Sequence, residues 1–163
     1  MGVLKWLVVG IVALVVLAVL AGQLGLLKGK PPANMGVRDG RLKPPAQTPN
    51  SVSSQAALYP DHPRRDFAQI APLPLKSDGP ATLARLRGIV EAMPGARVVK
   101  SEPDYLYAQF TTPLMKFVDD VEFWFDPAAS VVQVRSASRI GHGDRGLNRA
   151  RVEAIRAQMA AAP

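Results

Sequence analysis

Cysteine is absent from the sequence, and histidine occurs only twice in its 163 residues. The absence of cysteine excludes disulfide bonds, zinc–thiolate centres and a thiol nucleophile. A metal site built from histidines would need both His62 and His142, and two such ligands are few. Aromatic residues make up only 6% of the chain, but hydrophobic residues make up 48%, which is too many for a disordered protein. The length predicts one folded domain.

The sequence also lacks the common catalytic motifs. It contains no G-x-S-x-G elbow, no H-E-x-x-H pair and no P-loop, and His142 has no nucleophile at a diagnostic spacing. The segment GHGDRG at 141–146 matches G-x-G-x-x-G, but a dinucleotide site needs a parallel strand after the helix, and none follows. The remaining glycine-rich turn either holds an anion or is filled by Asp144 as the cap of the next helix. We expect no cofactor and assign no catalytic residue.

Acidic residues are scarce near the N-terminus. Residues 1–43 contain six basic side chains and one acidic side chain, a net charge of +5, whereas residues 44–163 contain 14 basic and 12 acidic side chains, a net charge of +2. Proteins that bind nucleic acid carry their basic residues on a folded surface. Basic residues beside an apolar segment are instead typical of membrane-proximal charge. We therefore expect a membrane, and no nucleic acid, among the partners.

A long apolar run lies at the N-terminus. From Trp6 to Leu27 the only strongly polar residue is Gln23, and a membrane-spanning helix needs about 20 apolar residues. We interpret residues 1–27 as a transmembrane anchor of a single-pass protein. The alternative is a signal peptide with a small-residue cleavage site at 19–21, but the apolar run continues past that site. This favours a retained anchor or an uncleaved signal.

Two signals for the side of the membrane disagree. Five basic residues follow the apolar run and only Lys5 precedes it, which favours a cytoplasmic domain. A short N-terminus that carries a lysine more often stays inside, which would place the domain outside. We expect the folded domain to lie on the envelope side of the membrane.

The composition changes after the anchor. Residues 28–50 contain five prolines and three glycines without an apolar period, so we interpret them as an extended linker. Residues 51–163 are predicted to form a single α+β domain. Its first part, up to residue 75, is interrupted by prolines but carries enough apolar residues to lie on the fold as ordered coil.

The periodic part of the domain gives the predicted architecture. A helix is expected where Leu83, Leu86 and Val90 recur at helical spacing, before Pro94-Gly95 ends it. Alternating segments between residues 96 and 139 predict four antiparallel strands in a meander. A second helix near the C-terminus has an apolar stripe at residues 152, 155 and 159. We expect the helix, the four-strand meander and the C-terminal helix to pack as two layers.

The register of the last hairpin can be derived from its apolar pattern. If Asp126 pairs with Val131 across a four-residue loop, the strongly apolar positions share one face and Glu122 lies opposite Arg135. A shift by one residue would place Phe123 opposite a polar residue and mix the two faces. The first register is therefore predicted.

Carboxylates are concentrated in the third predicted strand. Asp120 and Glu122 share a strand face, beside Asp119, and could together hold Ca²⁺ or Mg²⁺. Arg135 is expected directly across from Glu122, however, and a cation at that distance disfavours a metal. We expect these acidic residues and the arginines after residue 135 to neutralise one another, without a metal site.

Asn148 extends the apolar stripe of the last helix toward its N-terminus. An asparagine turned toward the core needs partners, and we expect them in the backbone of the turn at 140–143. Arg149 is expected at the surface beside Glu153, one helical turn away.

A family resemblance is carried by three segments, FVDDVEF, VRSASRIGHGDRGLNRARVEAIR and PNSVSSQ. Together they resemble an uncharacterised family, the domain of unknown function 1499, over about Pro49 to Gln158. The resemblance implies a small bacterial or plastid domain, often behind a transmembrane or lipoprotein-type leader, with no established activity. The family pattern usually has two cysteines around the PN motif, where this chain has Pro45 and Ser51, so it implies no redox role here. The positions that match the family signature are Asp119, Asp120, Glu122, Arg135, Ser136, Ser138, Arg139, Gly141, Asp144, Gly146, Asn148, Arg149 and Arg151.

Our leading hypothesis is a membrane-tethered, non-catalytic domain that binds an anionic ligand or protein partner. The candidate ligand-binding residues are Arg135, Arg139, Gly141, His142, Gly143, Arg145 and Arg149. The polar residues expected to have a structural role are Asp119, Asp120, Glu122, Ser136, Ser138, Asp144 and Asn148. Two alternatives are a metal-assisted hydrolase that uses the acidic strand with His142, and a purely structural protein of the cell envelope.

Overall fold

A computed structural model describes residues 2–161 of the chain. Its helices are α1 (Gly2–Gln23), α2 (Arg65–Ala68), α3 (Gly79–Glu91) and α4 (Leu147–Ala161), with a short 3₁₀ turn at Ala56–Leu58. Its strands are β1 (Ser51–Ser53), β2 (Leu73–Pro74), β3 (Ala96–Ser101), β4 (Tyr105–Thr111), β5 (Val118–Asp126) and β6 (Val131–Ser138).

The strands form one antiparallel sheet in the order β1-β6-β5-β4-β3, and β2 also pairs with β6. The four long strands are the predicted meander, and the α+β prediction is confirmed. The sheet has two strands more than expected, because β1 and β2 come from the proline-interrupted part of the chain. Each has only two or three residues, which is too few for an alternating pattern to be recognised.

The register of the β5–β6 hairpin is the predicted one. Asp126 pairs with Val131, Phe123 with Val134 and Glu122 with Arg135. Phe123 and Val134 are completely buried on the face that α3 and α4 cover. We call this the helix face of the sheet.

The two long helices after α1 pack on the helix face as the sequence predicts. Asp78 caps α3, because its side chain accepts a hydrogen bond from the Ala81 N–H at 2.7 Å. The apolar stripes of both helices enter one core. Its helical members are Leu83, Leu86, Val90, Val152, Ile155 and Met159.

The opposite face of the sheet is covered by residues 34–50, which we call the covering segment. The interpretation of residues 28–50 as an extended linker is therefore corrected from residue 34 onward. Leu42 is 1% exposed and packs with Tyr105 and Tyr107 of β4. The reason is local: Asp39-Gly40 forms a two-residue turn with positive φ values of 51° and 68°, which folds this part of the segment back on itself.

Helix α1 is long and apolar enough to cross a membrane, a test that an N-terminal signal sequence also passes. Its last turn contacts the domain at the β4–β5 turn. Gln23 Nε2 donates to the carbonyl oxygen of Leu114 at 2.9 Å, and Gly22 lies directly against the backbone of Met115. The apolar helix therefore leaves the domain at the edge where β4 ends and β5 begins.

Candidate functional site

Strand β5 carries three buried acidic residues, and each of them pairs with an arginine. Because side chains alternate along a strand, Asp119 lies on the helix face, whereas Asp120 and Glu122 lie on the face under the covering segment. Their partners are Arg151 for Asp119, Arg139 for Asp120 and Arg135 for Glu122. The predicted mutual neutralisation therefore has a definite geometry, with its pairs on both faces.

On the helix face, Arg151 joins strand and helix. Its Nη2 donates to Asp119 Oδ2, and its Nη1 donates to Asn148 Oδ1 at 2.8 Å and to Ser136 Oγ at 3.0 Å. The guanidinium also lies 4.6 Å from the centre of the Phe110 ring. This arginine is buried, and its charge is compensated by a carboxylate and a ring face.

Asn148 is completely buried, as the helical stripe predicts, but its partners differ from the expected ones. Its Nδ2 lies within 3.0 Å of the Asn50 carbonyl oxygen, Ser138 Oγ and Asp144 Oδ2. The turn at 140–143 is served by Asn50 instead, whose Nδ2 donates to the Gly141 carbonyl oxygen at 2.8 Å. Asn50, which a sequence pattern does not identify as an interior residue, takes the role predicted for Asn148.

Asp144 caps α4 as predicted. Its carboxylate accepts the backbone N–H of Gly146 at 2.9 Å and that of Asn148 at 3.0 Å. Partial burial alone would raise the pKa of Asp144, but these hydrogen bonds outweigh it and hold the pKa below its usual value.

On the opposite face, Arg139 and Asp120 form a two-pronged pair. The Nε–Oδ2 and Nη2–Oδ1 distances are both 2.8 Å. Tyr107 also donates its hydroxyl to Asp120 Oδ1 at 2.6 Å. Burial of the ring, followed by this hydrogen bond, raises the pKa of Tyr107. Arg139, a predicted ligand residue, thus has its charge satisfied within the fold.

The contact between Glu122 and Arg135 is longer than the contacts within the other two pairs. Glu122 Oε1 accepts from Tyr105 Oη at 2.7 Å and from the Gly36 N–H at 2.8 Å. Glu122 Oε2 lies 3.8 Å from Arg135 Nη1, and neither of these two atoms has a hydrogen-bond partner. Burial lowers the pKa of Arg135, although the Glu122 charge opposes this shift. Burial and the Glu122 charge raise the pKa of Tyr105 well above its usual value.

The remaining predicted ligand residues lie in different places in the structure. Arg149 donates to the Phe67 carbonyl oxygen at 2.6 Å, and Glu153 pairs with Arg156, so the expected Arg149–Glu153 contact is wrong. Phe67 lies in α2, so this hydrogen bond joins α2 to α4, a contact that the sequence pattern does not indicate. His142 is exposed. Gly141, Gly143 and Arg145 come together around a pocket.

This pocket, which we call the edge pocket, has a volume of about 610 Å³ and lies before the N-terminus of α4. Its lining residues are Thr112, Phe117, Asp119, Ser138, Ile140, Gly141, Gly143, Asp144, Arg145 and Leu147. Thr112 and Leu147 also line a smaller pocket of about 250 Å³ beside Phe110 and Met93. The two pockets are therefore neighbours that share Thr112 and Leu147, and the glycine turn lies at the edge pocket.

A second polar pocket of about 480 Å³ lies in the covering segment, among Arg38, Arg41 and Lys43. These three residues, which the sequence interpretation treats as membrane-proximal charge, lie in the folded covering segment. Gly40 lies against the ring of Trp124, six residues after the start of β5, which follows the turn that contacts α1. The sequence signal for this hairpin is Asp39-Gly40, with Val37 and Leu42 on the outer side of the flanking arginines.

Within residues 2–161, no group of three histidine, cysteine or acidic side chains is arranged to hold a metal ion. Asp119 points to the opposite face from Asp120 and Glu122, and all three contact arginines. The hydrolase alternative therefore finds no ligand set on the acidic strand.

Comparison with known proteins gives one match. The family model described as a protein of unknown function, DUF1499, matches residues 41–159, which include the second half of the covering segment and all of the sheet. No curated protein and no solved structure matches the chain.

Proposed function

The chain belongs to the DUF1499 family, whose description gives no activity, and we propose that it is a membrane-tethered, non-catalytic domain that binds an anionic lipid. The observation that carries this proposal is the position of the edge pocket. The pocket opens at the β4–β5 turn, which is also the place where α1 contacts the domain.

The anchor and the pocket share one short turn. Thr112 and Phe117 begin and end this turn and line the pocket, while Leu114 and Met115 between them contact the last residues of α1. The 22 residues of α1 span about 33 Å as a helix, which matches a hydrocarbon core of roughly 30 Å. If α1 spans the bilayer, the pocket therefore lies at the level of the lipid headgroups.

The apolar rim of the pocket fits the acyl part of a lipid. Ile140 and Leu147, which line the pocket, are 38% and 45% exposed. Single exposed apolar residues are ordinary, but a group at the mouth of a pocket indicates a binding surface. Because Leu147 also lines the adjoining pocket, that pocket can take the continuation of an extended chain.

The polar end of the pocket fits an anionic headgroup. Asp119 is neutralised by Arg151, and the Asp144 carboxylate is bound by the first N–H groups of α4. Arg145 is exposed, and no ion pair with residues 2–161 occupies it. The free cation of the lining is therefore Arg145, and arginine binds phosphate groups well.

This proposal retains the predicted anionic ligand but changes which residues contact it. Gly141, Gly143 and Arg145 stay as ligand residues, whereas Arg135 and Arg139 support the fold through buried pairs. Arg149 donates a hydrogen bond to the carbonyl oxygen of Phe67 in α2. No step of chemistry is assigned to any of them.

Native mass spectrometry of the full chain in detergent tests the proposal. Dioleoyl phosphatidylglycerol is the anionic probe, and dioleoyl phosphatidylcholine is the neutral comparison. We expect Arg145→Glu to weaken phosphatidylglycerol binding about tenfold, since reversing one charge near a membrane surface is worth about 1–2 kcal/mol. Arg64→Glu makes the same change at an exposed site without side-chain contacts and should have no effect. Equal weakening in both variants, or equal binding of the two lipids, contradicts the proposal.

The proposal also requires that α1 is retained. We expect the intact mass of the protein in the membrane fraction to include residues 1–27. A mature protein that begins near residue 22 would show instead that the segment is a signal peptide. Protease accessibility in intact cells then tests the expected envelope side.

A further inference from the structure

The tip of the covering segment places two arginines directly opposite each other. Arg38 and Arg41 exchange both backbone hydrogen bonds, at 2.9 and 3.0 Å, around the Asp39-Gly40 turn. Residues that oppose each other in an antiparallel pair have neighbouring side chains on one face. Two like charges in this arrangement repel each other, so the hairpin carries an electrostatic cost that an anion would remove.

The cations at this site have neutral partners. Arg38 Nη2 donates to Asn34 Oδ1 at 2.9 Å, and the Arg41 guanidinium lies 5.9 Å from the centre of the Tyr59 ring. Lys43 Nζ donates to the Ala33 carbonyl oxygen at 2.8 Å. None of the three forms an ion pair within residues 2–161. The Asp39 carboxylate also lines the pocket, so the lining carries three cations and one anion, a net charge of +2.

Side chains from the domain hold the backbone of this site in place. Gln55 is 5% exposed; its Oε1 accepts the Leu42 N–H at 2.8 Å, and its Nε2 donates to the Gly40 carbonyl oxygen at 3.0 Å. Tyr59 donates its hydroxyl to the Leu42 carbonyl oxygen at 3.1 Å. A ligand that enters this pocket therefore meets backbone that is already ordered, which lowers the entropic cost of binding.

The sheet beneath the site also contributes an arginine, one of whose nitrogens has no hydrogen-bond partner. Arg135 donates its Nε to the Pro44 carbonyl oxygen at 3.2 Å, and Pro44 lines the pocket. The side chain of Arg135 is 7% exposed, and its Nη1 has no hydrogen-bond partner. Such atoms are rare in folded proteins and usually indicate a missing partner. The Glu122 carboxylate, 3.8 Å away, balances the charge of this arginine, so Arg135 adds a donor beneath the pocket and no net charge.

We propose that the pocket between Arg38, Arg41 and Lys43 binds a soluble phosphate-bearing ligand, separately from the lipid at the edge pocket. Its volume of about 480 Å³ is within the range of small-molecule sites. The forked guanidinium groups match the oxygens of a phosphate group.

The position of the pocket selects a soluble ligand over a membrane lipid. From Val118, the first residue of β5 after the turn that contacts α1, to Trp124, beside Gly40, the strand advances six residues, which is about 20 Å. A headgroup in the plane of the bilayer does not reach that far, so the ligand comes from the aqueous side.

Isothermal titration calorimetry of the full chain in detergent tests this inference. Inorganic pyrophosphate is the probe, citrate is the carboxylate comparison, and dihexanoyl phosphatidylglycerol is the competitor. We expect one pyrophosphate per chain, tighter binding than citrate, and no competition from the lipid. The double variant Arg38→Gln/Arg41→Gln should bind pyrophosphate at least tenfold more weakly.

Two controls keep the result specific. Arg64→Gln/Lys76→Gln removes two positive charges at exposed positions elsewhere and should bind as the native chain does. Arg145→Glu, which tests the edge pocket, should also leave pyrophosphate binding unchanged, so the two proposals can fail independently. Absence of pyrophosphate binding at millimolar concentration overturns the inference. It is equally overturned by citrate binding as tightly, by lipid competition, or by equal weakening in the control variant.

Discussion

The two faces of the sheet are covered in different ways, and their buried side chains differ accordingly. Helices α3 and α4 cover the helix face, where apolar residues such as Phe123 and Val134 fill the core. The irregular covering segment lies on the other face. There the strands present Tyr105, Tyr107 and two carboxylate–arginine pairs.

The difference follows from how each cover satisfies its own backbone. A helix bonds its N–H and C=O groups internally and can present a purely apolar stripe. The covering segment has few internal hydrogen bonds, so the sheet must supply partners. Glu122 accepts the Gly36 N–H, and Arg135 donates to the Pro44 carbonyl oxygen. The charged residues of β5 and β6 on this face thus serve to hold an irregular segment in place.

Removing one member of the Glu122–Arg135 pair should have the largest effect. Glu122→Leu leaves Arg135 buried without its carboxylate, and breaking a buried ion pair costs about 3–5 kcal/mol. The double variant Glu122→Leu/Arg135→Met removes both charges and should recover more than half of this loss. Urea unfolding of the full chain in detergent, followed by near-ultraviolet circular dichroism, measures both.

Phe123→Ala is the matched variant on the helix face. It should cost a similar amount, about 3–5 kcal/mol, because it opens a cavity in a fully buried core. Arg135→Met should give no recovery in that background. If the double variant Glu122→Leu/Arg135→Met is as unstable as Glu122→Leu alone, the charges do not act as a pair and the contrast between the faces is wrong.

The same contrast explains which parts of the fold the sequence could predict. The β5–β6 register follows from apolar residues that alternate along both strands, and α3 follows from its apolar stripe and from the Pro94-Gly95 that ends it. On the covered polar face, Tyr107 and Asp120 carry no comparable pattern. The covering segment has the composition of a linker, and what holds it is a set of hydrogen bonds between residues distant in sequence. Composition reports none of these contacts.

The polar cluster on the helix face should show a smaller effect. Asn148→Ala removes the group that joins Ser136, Ser138 and the Asn50 carbonyl oxygen, and orphaning buried polar groups costs about 1–3 kcal/mol. Arg149→Ala removes only one hydrogen bond at the surface and should cost less than about 0.5 kcal/mol. The same unfolding measurement compares the two variants. If Arg149→Ala lowers the free energy of unfolding more than Asn148→Ala does, the contact of Arg149 with Phe67 in α2 stabilises the fold more than the buried cluster does.

Of the candidate site, the sequence predicted positions better than partners. Burial of Asn148 follows from its place on the helical stripe, and capping by Asp144 follows from its place before the helix. The contacts of Asn148 with Asn50, and of Arg149 with Phe67, depend on the path of the proline-interrupted chain. Local periodicity does not determine that path.

The two faces should also respond to opposite ends of the pH scale. Burial, together with Glu122 and Asp120, raises the pKa values of Tyr105 and Tyr107 on the covered polar face. The stability that depends on their neutral form is fully present below the unfolded pKa of about 10, and it is lost as the pH rises through the folded values. We expect these two phenols to ionise only when the protein unfolds, which absorbance at alkaline pH measures.

At acid pH the helix face should lose a contribution of its own through Asp144. Its lowered pKa means that the contribution is present above the unfolded pKa of about 4 and is lost as the pH falls through the folded value. Asp144→Ala should therefore cost about 1 kcal/mol at pH 7, as for other helix caps. Its stability should approach that of the native chain as the pH falls through the lowered pKa of the native carboxyl, which then becomes protonated. Asp61→Ala, at an exposed position, is the control and should follow the native curve throughout. If Asp144→Ala keeps its full deficit in acid, the side chain stabilises α4 by packing, and the capping charge contributes nothing.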